Sequence, residues 1–408
     1  MTRSFVFCLS WLCLFAVPGC FSEKESTDRK VPASDDAKPL AVVDVDPQLV
    51  KIIEDAFGAI DRDADGNIVA VNLAQARSSV DDKVLSAALA IPGLKKLRVA
   101  GSAISKETLE IIAEQTQLQE LFLQDTVIHD ESLAAILSKL SELKRLTLRR
   151  CINITDDAAE LFLAKTNLRN LALIEMNIGC RTIETIGHSR TVTALDLRDC
   201  SRLAPEDYTL ITKMRQLTDL KIGGFNVNDH VLETVSQLPH LTGLTIEDAM
   251  ISPEAFARML ETAAWKNSLI QLVLSRDAML FDDGLLPIRN LPKLKRLTVC
   301  GMMVTGTFLE KTAQNENDRP KLETLSLRMS LLTPEGAAAL QKYRELKSLD
   351  LSGVAMTGEL AEIIATLGTL ESLNLSGCRL TDETVGPIRK MTSLQSLNLD
   401  DNPIFENR

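Results

Sequence analysis

Aromatic side chains are scarce, at 4% of a chain that is 45% apolar. A core so poor in rings must be built from aliphatic ladders rather than from one aromatic-centred globule. Positive charge is short as well: 45 Lys and Arg face 56 Asp and Glu, giving a formal net charge of −11 and a pI near 5.1. With no basic stripe either, the balance argues against a nucleic-acid partner. Catalytic signatures are missing too. There is no C-x-x-C pair for zinc or redox work, and none of G-x-S-x-G, H-E-x-x-H or G-x-x-x-x-G-K-[ST] occurs. The four histidines, His129, His188, His230 and His240, are spread over three repeats, and most carboxylates sit at helix starts. No enzyme, cofactor or metal is therefore expected.

What the chain does have is a leucine spacing. L-x-x-L-x-L is clearest at Leu118-Leu121-Leu123, Leu143-Leu146-Leu148, Leu370-Leu373-Leu375 and Leu394-Leu397-Leu399. Copies begin at Ile68, Leu94, Leu118, Leu143, Leu168, Val192, Leu217, Leu241, Leu269, Leu294, Leu322, Leu346, Leu370 and Leu394. The step of about 24 to 28 residues is that of a strand-plus-helix solenoid unit. Within Leu370 to Ser393, Leu373 and Leu375 alternate with Asn374, so the leucines point inward from a strand. Thr381 then offers an N-cap to a helix whose first turn holds Asp382 and Glu383. Val385, Ile388 and Met391 recur at helical spacing. Equivalent starts are Thr333-Pro334-Glu335, Ser252-Pro253-Glu254, Thr155-Asp156-Asp157 and Ser105-Lys106-Glu107. Such arrays mostly bind partners and seldom catalyse.

On these motifs the chain resembles the leucine-rich-repeat superfamily, with a helical side like the ribonuclease-inhibitor and cysteine-containing subclasses. The resemblance covers about Ile68 to Phe405. It implies an α/β, right-handed horseshoe solenoid of about 14 repeats, parallel sheet on the concave face and helices on the convex. Many family members place Asn three residues after the last strand leucine, to bond the backbone of adjacent turns. Here that position holds Thr126, Cys151, Met176, Cys200, Phe225, Ala249, Met302, Ser330, Val354 and Cys378, with Asn only at Asn402. Neighbouring main chain and small side chains must then satisfy those turns.

The amino-terminal segment has a separate meaning. Arg3 precedes an apolar run from Ser4 to Val17, about fourteen residues against the ~20 that a membrane-spanning helix needs. Val17-Pro18-Gly19-Cys20 resembles a bacterial lipobox, which implies cleavage before Cys20 and lipidation of that cysteine. The whole then resembles a bacterial leucine-rich-repeat lipoprotein of the cell envelope. An ordinary secretory signal and an uncleaved anchor are the alternatives. The expected divisions are a signal peptide at 1–19, a lipidated Cys20 and flexible tether at 20–46, a capping helix and turn at 47–67, and the repeats at 68–408. Gln48 to Ile60 reads as the amphipathic capping helix. Longer units carry inserts near Trp265 and Asn315-Glu316-Asn317-Asp318, which would bulge where a helix returns to a strand, or else simply lengthen the helix and loop. Phe405 is expected to cover part of the last core layer.

Three sets of residues invite a chemical reading. Asp61-Arg62-Asp63-Ala64-Asp65-Gly66-Asn67-Ile68 resembles half of an EF-hand calcium loop, but Asn72 stands where the bidentate glutamate belongs, and a plain turn fits equally. Cys151, Cys180, Cys200, Cys300 and Cys378 read as small buried thiols, an odd count that leaves a free reactive thiol as the alternative; Cys151 and Cys200, two repeats and thus about 10 Å apart, cannot form a disulfide. Finally, the outward strand positions expose Phe122, Arg145, Arg149, Ile174, Asp196 and Arg198, the aromatic-plus-arginine composition of an interface hot spot. Lateral ion pairs, such as Glu120 with Arg145 and Asp196 with Lys221, are the alternative. The expectation is a monomeric, non-enzymatic binding or scaffold protein. It holds a protein partner on the concave sheet and the membrane through its lipid; a soluble adaptor gripping one protein along the arc is the second reading.

Overall fold

The computed structural model describes residues 45–76, 80–313 and 320–404. The leader, Cys20, the tether up to residue 44, Asn315 to Asp318 and Phe405 lie outside the described residues.

Fifteen strands form one sheet in strict chain order. They are β1 (Ala59–Arg62), β2 (Ile68–Asn72), β3 (Lys96–Ala100), β4 (Glu120–Gln124), β5 (Arg145–Arg149), β6 (Asn170–Ile174), β7 (Ala194–Asp196), β8 (Asp219–Gly223), β9 (Gly243–Glu247), β10 (Gln271–Ser275), β11 (Arg296–Cys300), β12 (Thr324–Ser326), β13 (Ser348–Asp350), β14 (Ser372–Asn374) and β15 (Ser396–Asn398). From β2 onward every pairing is parallel. A short α- or 3₁₀-helical segment lies in each connection between these parallel strands. The fold is an α/β solenoid, one parallel strand for each repeat start in the sequence.

Register explains why leucine recurs. Leu121, Leu146, Leu171 and Leu195 are direct partners across β4 to β7, and Leu123, Leu148 and Leu173 form the adjoining row. All seven are buried, while the residues between them face out. The helical starts behave as their side chains demand. Thr108, Asp157, Ala255, Gly336 and Thr384 each donate a backbone N–H to the hydroxyl of Ser105, Thr155, Ser252, Thr333 and Thr381. Acids at the first helical position tie neighbours together. Asp130 accepts from the N–H and hydroxyl of Thr155 at 2.9 and 2.6 Å, and Asp229 from those of Ser252 at 2.7 Å each.

The turns after the strands replace the expected asparagine ladder with a main-chain one. Gly101, Asp125, Arg150, Glu175, Asp199, Gly224, Asp248, Arg276, Gly301, Met329, Gly353 and Gly377 all have positive φ. Each of these residues turns its N–H onto a carbonyl at or just past the end of the next strand, at 2.9 to 3.1 Å. Thiols complete the arrangement. Cys200 and Cys378 donate to the Leu173 and Leu351 carbonyls at 3.0 Å, the role that the Asn402 amide plays toward Leu375 at 2.7 Å. Burial pushes the Cys200 thiol up to about 12 and Cys378 up to about 11. Cys180, by contrast, is exposed, so not all five thiols are the buried kind expected.

The amino-terminal cap also differs from expectation. The helix α1 covers only Pro47–Asp55, capped by the Asp46 carboxylate, and Ala59–Arg62 is a strand antiparallel to β2. Phe57 turns left-handed, and a Cβ on Gly58 would lie 2.8 Å from Ile53 and Leu73 side chains. That close approach ends the helix. The Asp61 to Asn67 segment is thus a hairpin turn, in which one Asp63 oxygen accepts the Asp65 and Asn67 N–H groups at 3.1 and 2.9 Å. A second difference concerns the insert at Trp265. Its ring is fully buried, with Nε1 donating to the Val235 carbonyl at 2.9 Å, so the insert fills the core instead of bulging.

Candidate functional site

The sheet face opposite the helices carries its outward residues in three rows. The first runs Lys96, Glu120, Arg145, Asn170; the second Arg98, Phe122, Thr147, Ala172, Asp196; the third Gln124, Arg149, Ile174. All six residues read as site candidates belong to this face or to the turn at its edge, but in different states.

Arg149 and Arg198 are engaged within the protein. Arg149 holds Glu175 at 2.7 Å, and Arg150 joins Asp125 at 2.6 Å and the same Glu175 at 3.1 Å. Arg198 folds back on Asp196 at 2.7 and 2.9 Å and reaches Glu247, two strands away, at 2.9 Å. It can cross β8 because that position is Gly223, where a Cβ would lie 2.6 Å from the Glu247 carbonyl and 3.3 Å from the Arg198 chain. Burial works against the Arg198 charge, yet the Asp196 and Glu247 carboxylates outweigh it and raise its proton affinity. Asp196 itself is 7% exposed. The pair is therefore an internal brace, and Ile174, half-buried, is not flanked by available cations.

Phe122 and Arg145 behave otherwise. Phe122 is half-buried because the Arg98 guanidinium lies over its ring, 4.3 Å from the centroid. Such stacking uses the quadrupole of the ring face and leaves guanidinium N–H groups available. Arg145, one strand further and in the neighbouring row, is exposed. Glu120, its register partner, bonds instead to Lys96 at 3.2 Å. Neither Arg98 nor Arg145 forms an ion pair among the described residues. Burial lowers the Arg98 proton affinity, Glu120 opposes that, and the nearby Arg145 charge adds to the lowering. Two cations thus lie near one another on this face, Arg98 over the Phe122 ring and Arg145 in the neighbouring row.

Arg98 was not among the sequence candidates. The alternation Lys96-Leu97-Arg98-Val99 one repeat earlier marks it as outward, and only the register sets it on Phe122.

A recurring left-handed turn, a parallel strand every repeat and inward leucine rows together admit one description. The fold is a leucine-rich-repeat solenoid. A family model described as "Leucine Rich repeat" matches residues 369–386, within the repeat whose strand is β14. Solved leucine-rich-repeat structures to which the chain is similar include an internalin (inlF) from Listeria monocytogenes, at 16% identity, with 88% of this chain and 90% of that one covered and a TM-score of 0.38. The yeast Rad7 and Elc1 complex contains another, at 17% identity, 78% and 84% coverage and a TM-score of 0.46.

Proposed function

We propose that this leucine-rich-repeat protein is a non-enzymatic scaffold that binds an acidic segment of a partner protein on the open sheet face around β3 to β5. The observation that carries this reading is the Arg98–Phe122–Arg145 cluster. Four other arginines near this face, Arg149, Arg150, Arg198 and Arg276, are bound to carboxylates, whereas these two are not. A partner carboxylate would supply charge-assisted, bidentate hydrogen bonds and relieve the repulsion between them. Covering Phe122 would add apolar burial at the centre, the usual anatomy of a hot spot. Charge reversal at both positions, Arg98→Glu with Arg145→Glu, is expected to abolish capture of the partner in intact cells while leaving thermal stability unchanged. Capture that survives the double reversal rejects the site.

The same reading holds the solenoid at a membrane through Cys20, supported by the Val17-Pro18-Gly19-Cys20 motif. Several acyl chains on one residue anchor stably where a single chain binds only marginally. Cells grown with a radiolabelled fatty acid should label the wild-type chain and not Cys20→Ser. Absence of label from the wild type would favour a soluble adaptor instead.

A further inference from the structure

The loops that follow β8 to β12 expose large apolar side chains in five consecutive repeats. Phe225, Met250, Met279, Met303, Met329 and Leu331 are each 53% to 72% exposed. Their loops are stacked by hydrogen bonds. The Met250 N–H donates to the Val227 carbonyl at 2.8 Å, the Asp277 carboxylate accepts the Ala249 N–H at 2.9 Å, and the Leu331 N–H donates to the Val304 carbonyl at 2.9 Å. The side chains therefore form a continuous stripe along the rim at the strand carboxyl ends. Four steps of ~4.8 Å make it about 19 Å long, the length of an α-helix of about 13 residues.

Single exposed hydrophobics are ordinary, but a contiguous row marks a contact surface. Methionine is the residue that adapts most readily to a partner's shape. Charge specifies that partner further. Asp229, Glu254 and Glu335, all exposed, lie in the first turns of the helices behind the stripe and form no ion pair among the described residues. Of the nearby cations, Arg276 is bound to Asp248 and Glu247, and Lys311 to Asp283. An anionic bilayer would be repelled by these borders, and a second copy of the chain would bring the same acids with it. We propose that this rim docks a basic amphipathic helix of a partner protein, its apolar side on the methionine stripe and its Lys or Arg side chains on the bordering carboxylates.

The test uses the full chain and a fluorescein-labelled synthetic helix of about 14 residues, with Leu at helical spacing and Lys between, beside a twin carrying Glu for Lys. Fluorescence anisotropy should show saturable, salt-sensitive binding of the Lys peptide and none of the Glu twin. The double substitution Met250→Ser with Met303→Ser, on exposed side chains that the fold does not need, should weaken it by about tenfold or more. An unchanged melting curve certifies the variant. Undiminished binding by the variant, equal binding of the twin, or no binding of the Lys peptide overturns the proposal. So does flotation with phosphatidylglycerol vesicles, or a dimer in sedimentation, that the double substitution abolishes; each would give the rim a different occupant. No residue of the open sheet face takes part, so either outcome leaves the Arg98–Phe122–Arg145 site untouched.

Discussion

At the residue scale, Asp277 is the sharpest departure from what a surface-rich acidic chain would display. It follows a turn residue, is 1% exposed, and spends one oxygen on the Ala249 N–H while the other has no hydrogen-bond partner among the described residues. Burial pushes its carboxyl up to about 7; the Ala249 hydrogen bond opposes the shift and the neighbouring Asp248 and Glu247 charges add to it. The folded protein therefore binds more protons than the unfolded chain between about pH 4 and pH 7, so stability falls as pH rises through that window and levels off above it. Asp277→Asn, neutral throughout, should lose that slope. Urea unfolding at pH 4.5 and pH 8 should find its stability relative to wild type higher at pH 8, and parallel profiles would refute the assignment. Nothing in the string Ser275-Arg276-Asp277-Ala278 announces this burial. It follows from the loop turning the Asp277 carboxylate onto the Ala249 N–H of the preceding repeat.

At the element scale, legibility followed whether a signal was local. The inward leucines and the hydroxyl caps at Ser105, Ser252, Thr333 and Thr381 are local, and they are where the alternation and the dipole argument put them. The left-handed turn recurs just as strictly but is filled by Gly, Asp, Arg, Glu and Met, so no residue pattern reveals it. Ion pairs were equally hidden. Arg149 meets Glu175 and Arg198 meets Glu247 across one and two repeats, and those matches depend on rotamers and on the missing side chain at Gly223. The hairpin of β1 and β2 was masked because the apolar spacing of Leu49, Ile52, Ile53 and Ile60 also fits one long helix. The insert at Trp265 gives the element-scale prediction. Because the indole fills the core and satisfies the Val235 carbonyl, Trp265→Ala should cost about 3–5 kcal/mol in chemical denaturation. A loss within about 0.5 kcal/mol, the range of surface substitutions, would mean that the insert is the plain loop its length suggested.

At the scale of the whole chain, the solenoid separates stability from recognition. Each repeat buries its leucines against its neighbours, leaving the residues between them free to differ from strand to strand. Through β12 to β15 the outward positions are small and polar, with Ser326, Ser348, Ser372, Asn374, Ser396 and Asn398. Around β3 to β5 they concentrate Arg98, Phe122 and Arg145. In the proposed patch Arg98 joins Phe122 and Arg145, whereas Arg149, Asp196 and Arg198 are engaged in ion pairs within the scaffold. The measurement that tests this most directly places a photo-crosslinking amino acid at Thr147, beside Phe122 in register, and at Asn374 for comparison, in the full chain in intact cells. A partner captured from position 147, absent from position 374 and lost on Arg98→Glu with Arg145→Glu, is the predicted result. Equal capture at both positions, or capture at 147 that survives the charge reversal, would contradict it.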